Sequence, residues 1–289
     1  MTLMTMLDMD VADEKLELCW ANDLHLDHAH HEKISYFARK VNERETNVVL
    51  LGGDISNGVT IIPHLEYLSK VWVGKQIYFV LGNHDYYGSS FTEVWSNVDK
   101  CVLEHSNLHW LDGNGPIKLS DKTALVGNGL WCDWKAGSKE KSSIWINDYT
   151  LIEDLRFEGA PYNTIAFMST WEKVGFYARL HANQLMDDFD KALEQGFKNI
   201  IVLTHVPPFH EGSFFDGKVQ DDDWATHFVC WIAGVKLKER VIKHKDVQVT
   251  VLCGHTHGFC EVDILPNLHV INGKAKYNHP RPQNPIYYE

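Results

Sequence analysis

Five times along this chain a short run of aliphatic and β-branched residues ends on a side chain able to bind a metal ion. LELCWAND leads to Asp23 and His25, NVVLLGGD to Asp54, and QIYFVLGNHD to Asn83 and His84; further on, NIIVLTH leads to His205 and QVTVLCGHTH to His255 and His257. Runs of this length and composition suit strands buried on both faces. Ligands at the carboxyl ends of neighbouring strands converge on one edge of a sheet, where open α/β folds put their sites. Residues distant in sequence are therefore expected to form one cluster.

Between the strands, helical patterns are expected at 30–45, 60–73, 91–105, 171–195 and 226–243. In the fourth, Val174, Tyr177, Ala178, His181, Leu185, Phe189, Ala192 and Leu193 share a face, and Gly196 supplies a stop. Strands alternating with helices predict an α/β fold. Short extra strands at IKLS, TALVGNG, EVDIL and LHVING make mixed sheets the expectation. No repeat or linker divides the chain, so residues 1–289 are read as one domain. The stretch 131–169 is rich in aromatic and turn residues and is expected to be a lid or specificity loop. A second irregular loop is expected from Pro207 to about Asp223, and the proline-rich end from about residue 276 is read as an extended tail.

Composition narrows the class of function. At 44% hydrophobic and 12% aromatic residues, 289 residues can bury a large core. A net charge of -12 disfavours binding along extended nucleic acid, which needs Lys and Arg to replace counterions. The longest apolar runs fall far short of the roughly 20 residues that cross a bilayer. The first fifteen residues, MTLMTMLDMDVADEK, have acidic residues where a secretion signal would have basic ones. The six cysteines form no CxxC pair and are read as free thiols, so a cytoplasmic location with no membrane association is expected.

Two divalent cations held close together need one bridging ligand, and the two oxygens of Asp54 can serve. Histidines and a carbonyl oxygen fill the outer positions. Glycines 52, 53, 82 and 254 allow the sharp turns and close approach that such a site demands. The mixed nitrogen and oxygen donors, with no obvious thiolate, point to Mn or Fe first, with Zn, Ni or Mg as alternatives.

The ordered blocks DLH at 23–25, GGD at 52–54, GNHD at 82–85, TH at 204–205 and GHTH at 254–257 resemble the calcineurin-like metallophosphoesterase superfamily, over residues 20 to about 275. The resemblance implies a four-layer sandwich of two mixed β-sheets flanked by helices, with the metal site at the strand carboxyl ends. By the same resemblance, Asp23, His25, Asp54 and His257 would hold one metal. Asp54, Asn83, His205 and His255 would hold the other. A hydroxide bridging the two would attack phosphorus, and His84 would protonate the leaving oxygen or bind a phosphate oxygen, with Asp85 helping to orient it. The GNHDYYG, LWCDW and NDYTLIEDLR segments look like a bacterial and phage subgroup of small metallophosphatases.

The protein phosphatases of that superfamily usually carry arginines beside their second and third blocks; GGDISNG and GNHDYYG have none. The acidic balance makes small or protein-borne phosphate esters the expected substrates, monoesters and diesters both open, and the absent arginines lean towards diesters. A Ser/Thr phosphoprotein phosphatase, a nuclease and a non-catalytic scaffold follow in that order. Arg156, His210 and Trp131 are singled out as substrate contacts, with Trp134 as a second stacking surface that could equally be core. His28, His30 and His31 read as a solvated helix start, His181 as a hydrogen-bonded core histidine, and Cys253 as a small core residue.

Overall fold

A computed structural model describes residues 15–137, 142–156 and 165–288. The expectations for the leader region, for 138–141 and 157–164 within the expected lid, and for Glu289 fall outside the described residues. The first half runs β1 (Leu16–Ala21), α1 (His31–Asn42), β2 (Val48–Gly52), α2 (Ile61–Val71), β3 (Gln76–Val80), α3 (Phe91–Glu104) and β4 (Leu108–Trp110). Next come β5 (Ile117–Lys118), β6 (Thr123–Asn128), the short α4 (Asp148–Leu151), α5 (Ile165–Glu194) and β7 (Asn199–Thr204). The chain continues through β8 (Phe214–Phe215), β9 (Lys218–Val219), α6 (Asp222–Phe228), α7 (Trp231–Lys243), β10 (Gln248–Cys253), β11 (Cys260–Leu265), β12 (Leu268–Asn272) and β13 (Ile286–Tyr288).

Two mixed sheets result. One has the order β13-β1-β2-β3-β4, antiparallel only where β13 meets β1; the other has the order β11-β12-β10-β7-β6-β5, parallel through its four middle strands. Side chains alternate across a strand, and here the alternation sorts them into layers. Leu18, Trp20, Val48, Leu50 and Val80 from the first sheet share a buried cluster with Leu125, Ile201, Leu203 and Leu252 from the second, which fills the space between the sheets. Their sequence neighbours Cys19, Val49, Ile77 and Phe79 point the other way and join Phe37, Leu65 and Val98 of the covering helices. Both faces of the central strands are covered, giving a helix–sheet–sheet–helix sandwich.

Register sets the site. Ala21 lies opposite Leu51 and Gly52 opposite Val80, while Leu203 lies opposite Leu252, so the parallel strands end level and release their following residues at one edge. Among the described residues no helix is long and apolar enough to cross a membrane.

Two expectations are corrected. The helix expected over 226–243 is two helices, because Val229 is extended and the Cys230 N–H donates to the Pro207 carbonyl at 3.0 Å. Part of the irregular loop at 207–223 is the β8–β9 hairpin, closed by Asp216 and Gly217 at φ of 48° and 80°; Asp-Gly between β-formers is the usual signal for that turn. Within the end read as an extended tail, Ile286–Tyr288 forms β13 and pairs with β1.

α7 starts without a side-chain cap of its own. Asp133, from the segment after β6, supplies one: its carboxylate accepts from the N–H groups of Trp231 (3.1 Å) and Ile232 (2.8 Å). Replacing Asp133 by alanine orphans these donors and is expected to cost about 1–2 kcal/mol, read as a lower urea midpoint at constant m-value.

Candidate metal centre

Asp23, Asp54 and Asn83 follow β1, β2 and β3 of one sheet; His205 and His255 follow β7 and β10 of the other. The two strand edges are tied together at this point. The Nδ1–H of His205 donates to the Gly52 carbonyl (3.0 Å), and the His255 N–H donates to the Asp23 carboxylate (2.9 Å). Close approach requires glycine: a Cβ on Gly82 would collide with the Asp54 carboxylate and backbone nitrogen. Asp23, His25, Asp54, His255 and His257 all have φ between 43° and 71°. Side chains other than glycine pay about 1–3 kcal/mol for such backbone, and it persists where function holds it.

The donors form two sets. In one, His25 Nε2 lies 3.1 Å from His257 Nε2, and His257 Nε2 lies 3.5 Å from Asp23 Oδ1. In the other, His205 Nε2 lies 3.1 Å from His255 Nδ1 and 3.0 Å from Asn83 Oδ1. Asp54 belongs to both: Oδ2 is 3.7 Å from His25 Nε2 and Oδ1 is 3.3 Å from His205 Nε2. Ligands about 2.0–2.2 Å from a shared cation lie roughly 3–3.5 Å from one another, so these spacings fit cation binding. The seven residues expected to be ligands are thus brought together, and His84 joins His25 and Asp54 in a further grouping.

The electrostatics agree with that fit. Among the described residues the ion-pair partners of buried Asp23 and Asp54 are all histidines. Burial pushes Asp54 well above the carboxylate range, and the neighbouring Asp23 carboxylate adds to it. Burial pushes His25 down to about 2. His257 moves up instead: burial opposes this, but the Asp23 carboxylate 3.5 Å from its Nε2 prevails. Two buried carboxylates among imidazoles are donors of the kind that could hold a cation.

His84 sits at the rim. Its ring stacks on Tyr87 at 4.2 Å, and its Nε2 lies 3.9 Å from Asp54 Oδ2 and 3.5 Å from the Tyr277 hydroxyl. Asp85 does not orient it. The Asp85 carboxylate accepts from the N–H groups of Gly82 (2.8 Å) and Ser56 (2.7 Å), so it shapes the two ligand loops from below; burial pushes it up to about 7.

The three expected substrate contacts lie elsewhere. Trp131 is 4% exposed and packs on Tyr86 and Phe91, because the strand end turns its side chain into the core. Trp134 is likewise buried, stacked on Trp171 at 4.7 Å. Arg156 is exposed, its Nε donating to the Thr150 carbonyl, and His210 is held by the Gln220 carbonyl at 2.7 Å. None of Trp131, Arg156 and His210 lines the cleft over the metal centre, a cavity of about 470 Å³. His181 is buried and bonds Asn128 Oδ1 at 2.8 Å, as expected of a core histidine.

Two residues that were not among the expected site residues belong here. Tyr277 lies across the rim, its ring 4.3 Å from His25 and 5.2 Å from His257. Asp148, the first residue of α4, accepts from Asn83 Nδ2 (2.7 Å) and the Tyr87 hydroxyl (2.6 Å). An amide can flip; Asp148 holds the nitrogen of Asn83 outward and so turns its oxygen to the cluster. Asp148→Ala is expected to weaken the cation on the Asn83 side about 10- to 100-fold while sparing the other. Calorimetric Mn titration would show this, and equal weakening of both would reduce Asp148 to a packing role.

A family model for calcineurin-like phosphoesterases matches residues 18–259. A protein of Acanthamoeba polyphaga mimivirus, described as uncharacterized protein L509, is 23% identical over 264 residues, covering 86% of this chain and 85% of its own. Among solved structures, a dimetal phosphatase from Danio rerio aligns with a TM-score of 0.54 at 10% identity, over 89% of this chain and 86% of its own. The protein TT1561 of Thermus thermophilus aligns at 0.50 and 12% identity, over 90% and 89%.

Proposed function

Because the chain belongs to the calcineurin-like phosphoesterase family, we propose that it hydrolyses phosphate esters of small or moderate size at a site holding two divalent cations. The observation that carries this reading is the Asp54 carboxylate, which turns one oxygen to each donor set. Asp23, His25 and His257 would complete one set, and Asn83, His205 and His255 the other. Two such cations would polarise the phosphoryl oxygens and lower the pKa of an attacking water. Mn or Fe suits the nitrogen and oxygen donors best, with Zn, Ni or Mg as alternatives. The six free thiols accord with a reducing, cytoplasmic setting.

The chain's own groups do the rest. His84, at the rim with its Nε2 3.9 Å from Asp54 Oδ2, would pass a proton to the leaving-group oxygen. Tyr277 shields the histidine cluster from solvent and sets its hydroxyl beside His84 Nε2. No arginine is among the described residues that line the cleft, so a phosphate dianion finds no guanidinium clamp. That absence leans the reading towards diesters, which carry one charge less, and away from phosphoproteins.

The direct test is turnover of bis-p-nitrophenyl phosphate and p-nitrophenyl phosphate by metal-stripped chain, before and after adding Mn. Metal-dependent release of nitrophenolate is expected. Silence with Mn, Fe, Zn, Ni and Mg alike would leave a cation-holding scaffold in place of an enzyme.

A further inference from the structure

We propose that the cleft beside the metal centre binds a planar aromatic ring in the organic part of the ester, which makes ring-bearing small phosphate esters the substrate class. This rests on the hydrolase reading above and adds to it a means of choosing substrates. Aromatic surface runs outward without a break from the donor cluster. The ring of Phe228 lies against His255 (4.4 Å, 31°), and Trp224 lies against Phe228 (5.8 Å, 55°). Phe215, on the β8–β9 hairpin, lines the same cavity. Trp224 is 42% exposed and Phe215 55%, so both offer ring surface to whatever enters.

Both rings stand on fixed backbone. The Trp224 N–H is capped by Asp221 at 3.2 Å, and Phe215 precedes the tight Asp216-Gly217 turn. Large apolar side chains held open to water at a cavity mouth mark a binding surface more often than an accident of composition.

Charge is sparse among the lining groups outside the donor cluster. Lys218 is the one basic side chain other than histidine among the described lining residues, and Asp148 and Asp221 are engaged by Asn83 and the α6 N-terminus. Beside the polar Asn147, Gln220 and Thr256, the lining offers the faces of rings, which favour a flat π-system over a saturated group of equal size. The volume, about 470 Å³, suits a small molecule.

Matched pairs test the idea on the Mn-loaded full chain. A nucleoside 5′-phosphate is set against ribose 5-phosphate, and benzyl phosphate against cyclohexylmethyl phosphate, each also as its methyl diester. Members of a pair share a similar leaving alkoxide and differ in the ring. The ring-bearing member is expected to be favoured about tenfold or more in kcat/KM, and Trp224→Ala and Phe215→Ala should each cut that ratio several-fold. Preference in the nucleoside pair alone would identify the ring as a nucleobase; preference in both would admit any flat ring. Ratios near one, ratios untouched by both substitutions, or a phosphoserine peptide turned over faster than every ring-bearing ester would each overturn the proposal. Calorimetry with the same compounds separates the two readings. Ring-dependent binding without turnover would keep the pocket and sink the hydrolase; turnover without ring dependence would do the reverse.

Discussion

Changing Asp54 to asparagine is expected to reduce the bound metal from two ions per chain to one or none and to cut turnover by roughly 10³-fold or more. The loss exceeds what a single transition-state donor contributes, because both donor sets use this one carboxylate. A neutral amide keeps the size and can still accept the His84 N–H bond now made to Oδ1. It cannot bridge two cations with paired anionic oxygens. The same change should have the opposite effect on the metal-free fold. Burial and the Asp23 carboxylate push Asp54 upward, which means the ionised form is held at a cost when no cation is present. The stripped Asp54→Asn chain should therefore melt no lower than the stripped parent. The linkage also has a definite sign with pH. Asp54 and His257 both hold protons more tightly than usual in the metal-free site, and a cation must displace them. Metal affinity should fall as pH falls, by up to about tenfold per unit for each proton displaced, and rise on the alkaline side until the site is deprotonated. Turnover assays, metal analysis after gel filtration at pH 8 and pH 6, and melting curves in chelator check these statements. An Asp54→Asn chain that retained two ions would remove the bridging role.

What made the donor set readable was locality. Each candidate ligand follows its strand by one to four residues, so hydrophobic runs that announce strands also announce where these side chains emerge. Parallel pairing with level ends then does the gathering, and a buried parallel strand is among the plainer signals in a sequence. Tyr277 had no comparable signal. It lies between β12 and β13 in a segment without regular structure, and only the fold carries it across the rim. Asp148 was hidden in the same way, as one acid among several in an aromatic-rich stretch whose use depends on where α4 lands beside Asn83. Trp131 shows the converse. A tryptophan after a strand can face either cleft or core, and one residue of rotation decides which; here it joins Tyr86 and Phe91 inside. The β8–β9 hairpin was within reach, since FFDGKV carries an Asp-Gly turn between β-formers. It matters because it brings Phe215 to the cleft.

His84→Asn should slow the hydrolysis of esters with poor leaving groups by about 10²- to 10⁴-fold, or roughly 3–5.5 kcal/mol of barrier, while nitrophenyl esters lose much less. The reasoning starts from the ring's surroundings. Burial pushes His84 down to about 3, and the neighbouring His205 adds to the shift, so the free site holds the ring neutral at ordinary pH. A neutral ring with its proton on Nε2 can still donate a hydrogen bond, but to act as an acid it must carry a second proton when the bond to the leaving oxygen breaks. A bound phosphate anion beside Nε2 is the charge that would raise it. Departure of an alkoxide needs that proton; departure of nitrophenolate, already a stable anion, does not. Asparagine preserves a donor near the same position, which isolates proton transfer from simple hydrogen bonding. Should both kinds of ester slow by the same factor, His84 would be a phosphate-binding donor and the leaving group's proton would have to come from elsewhere. The Tyr277 hydroxyl, 3.5 Å from His84 Nε2, would be the next group to test. Tyr277→Phe alone should then reproduce the steep dependence on leaving group that His84→Asn failed to show.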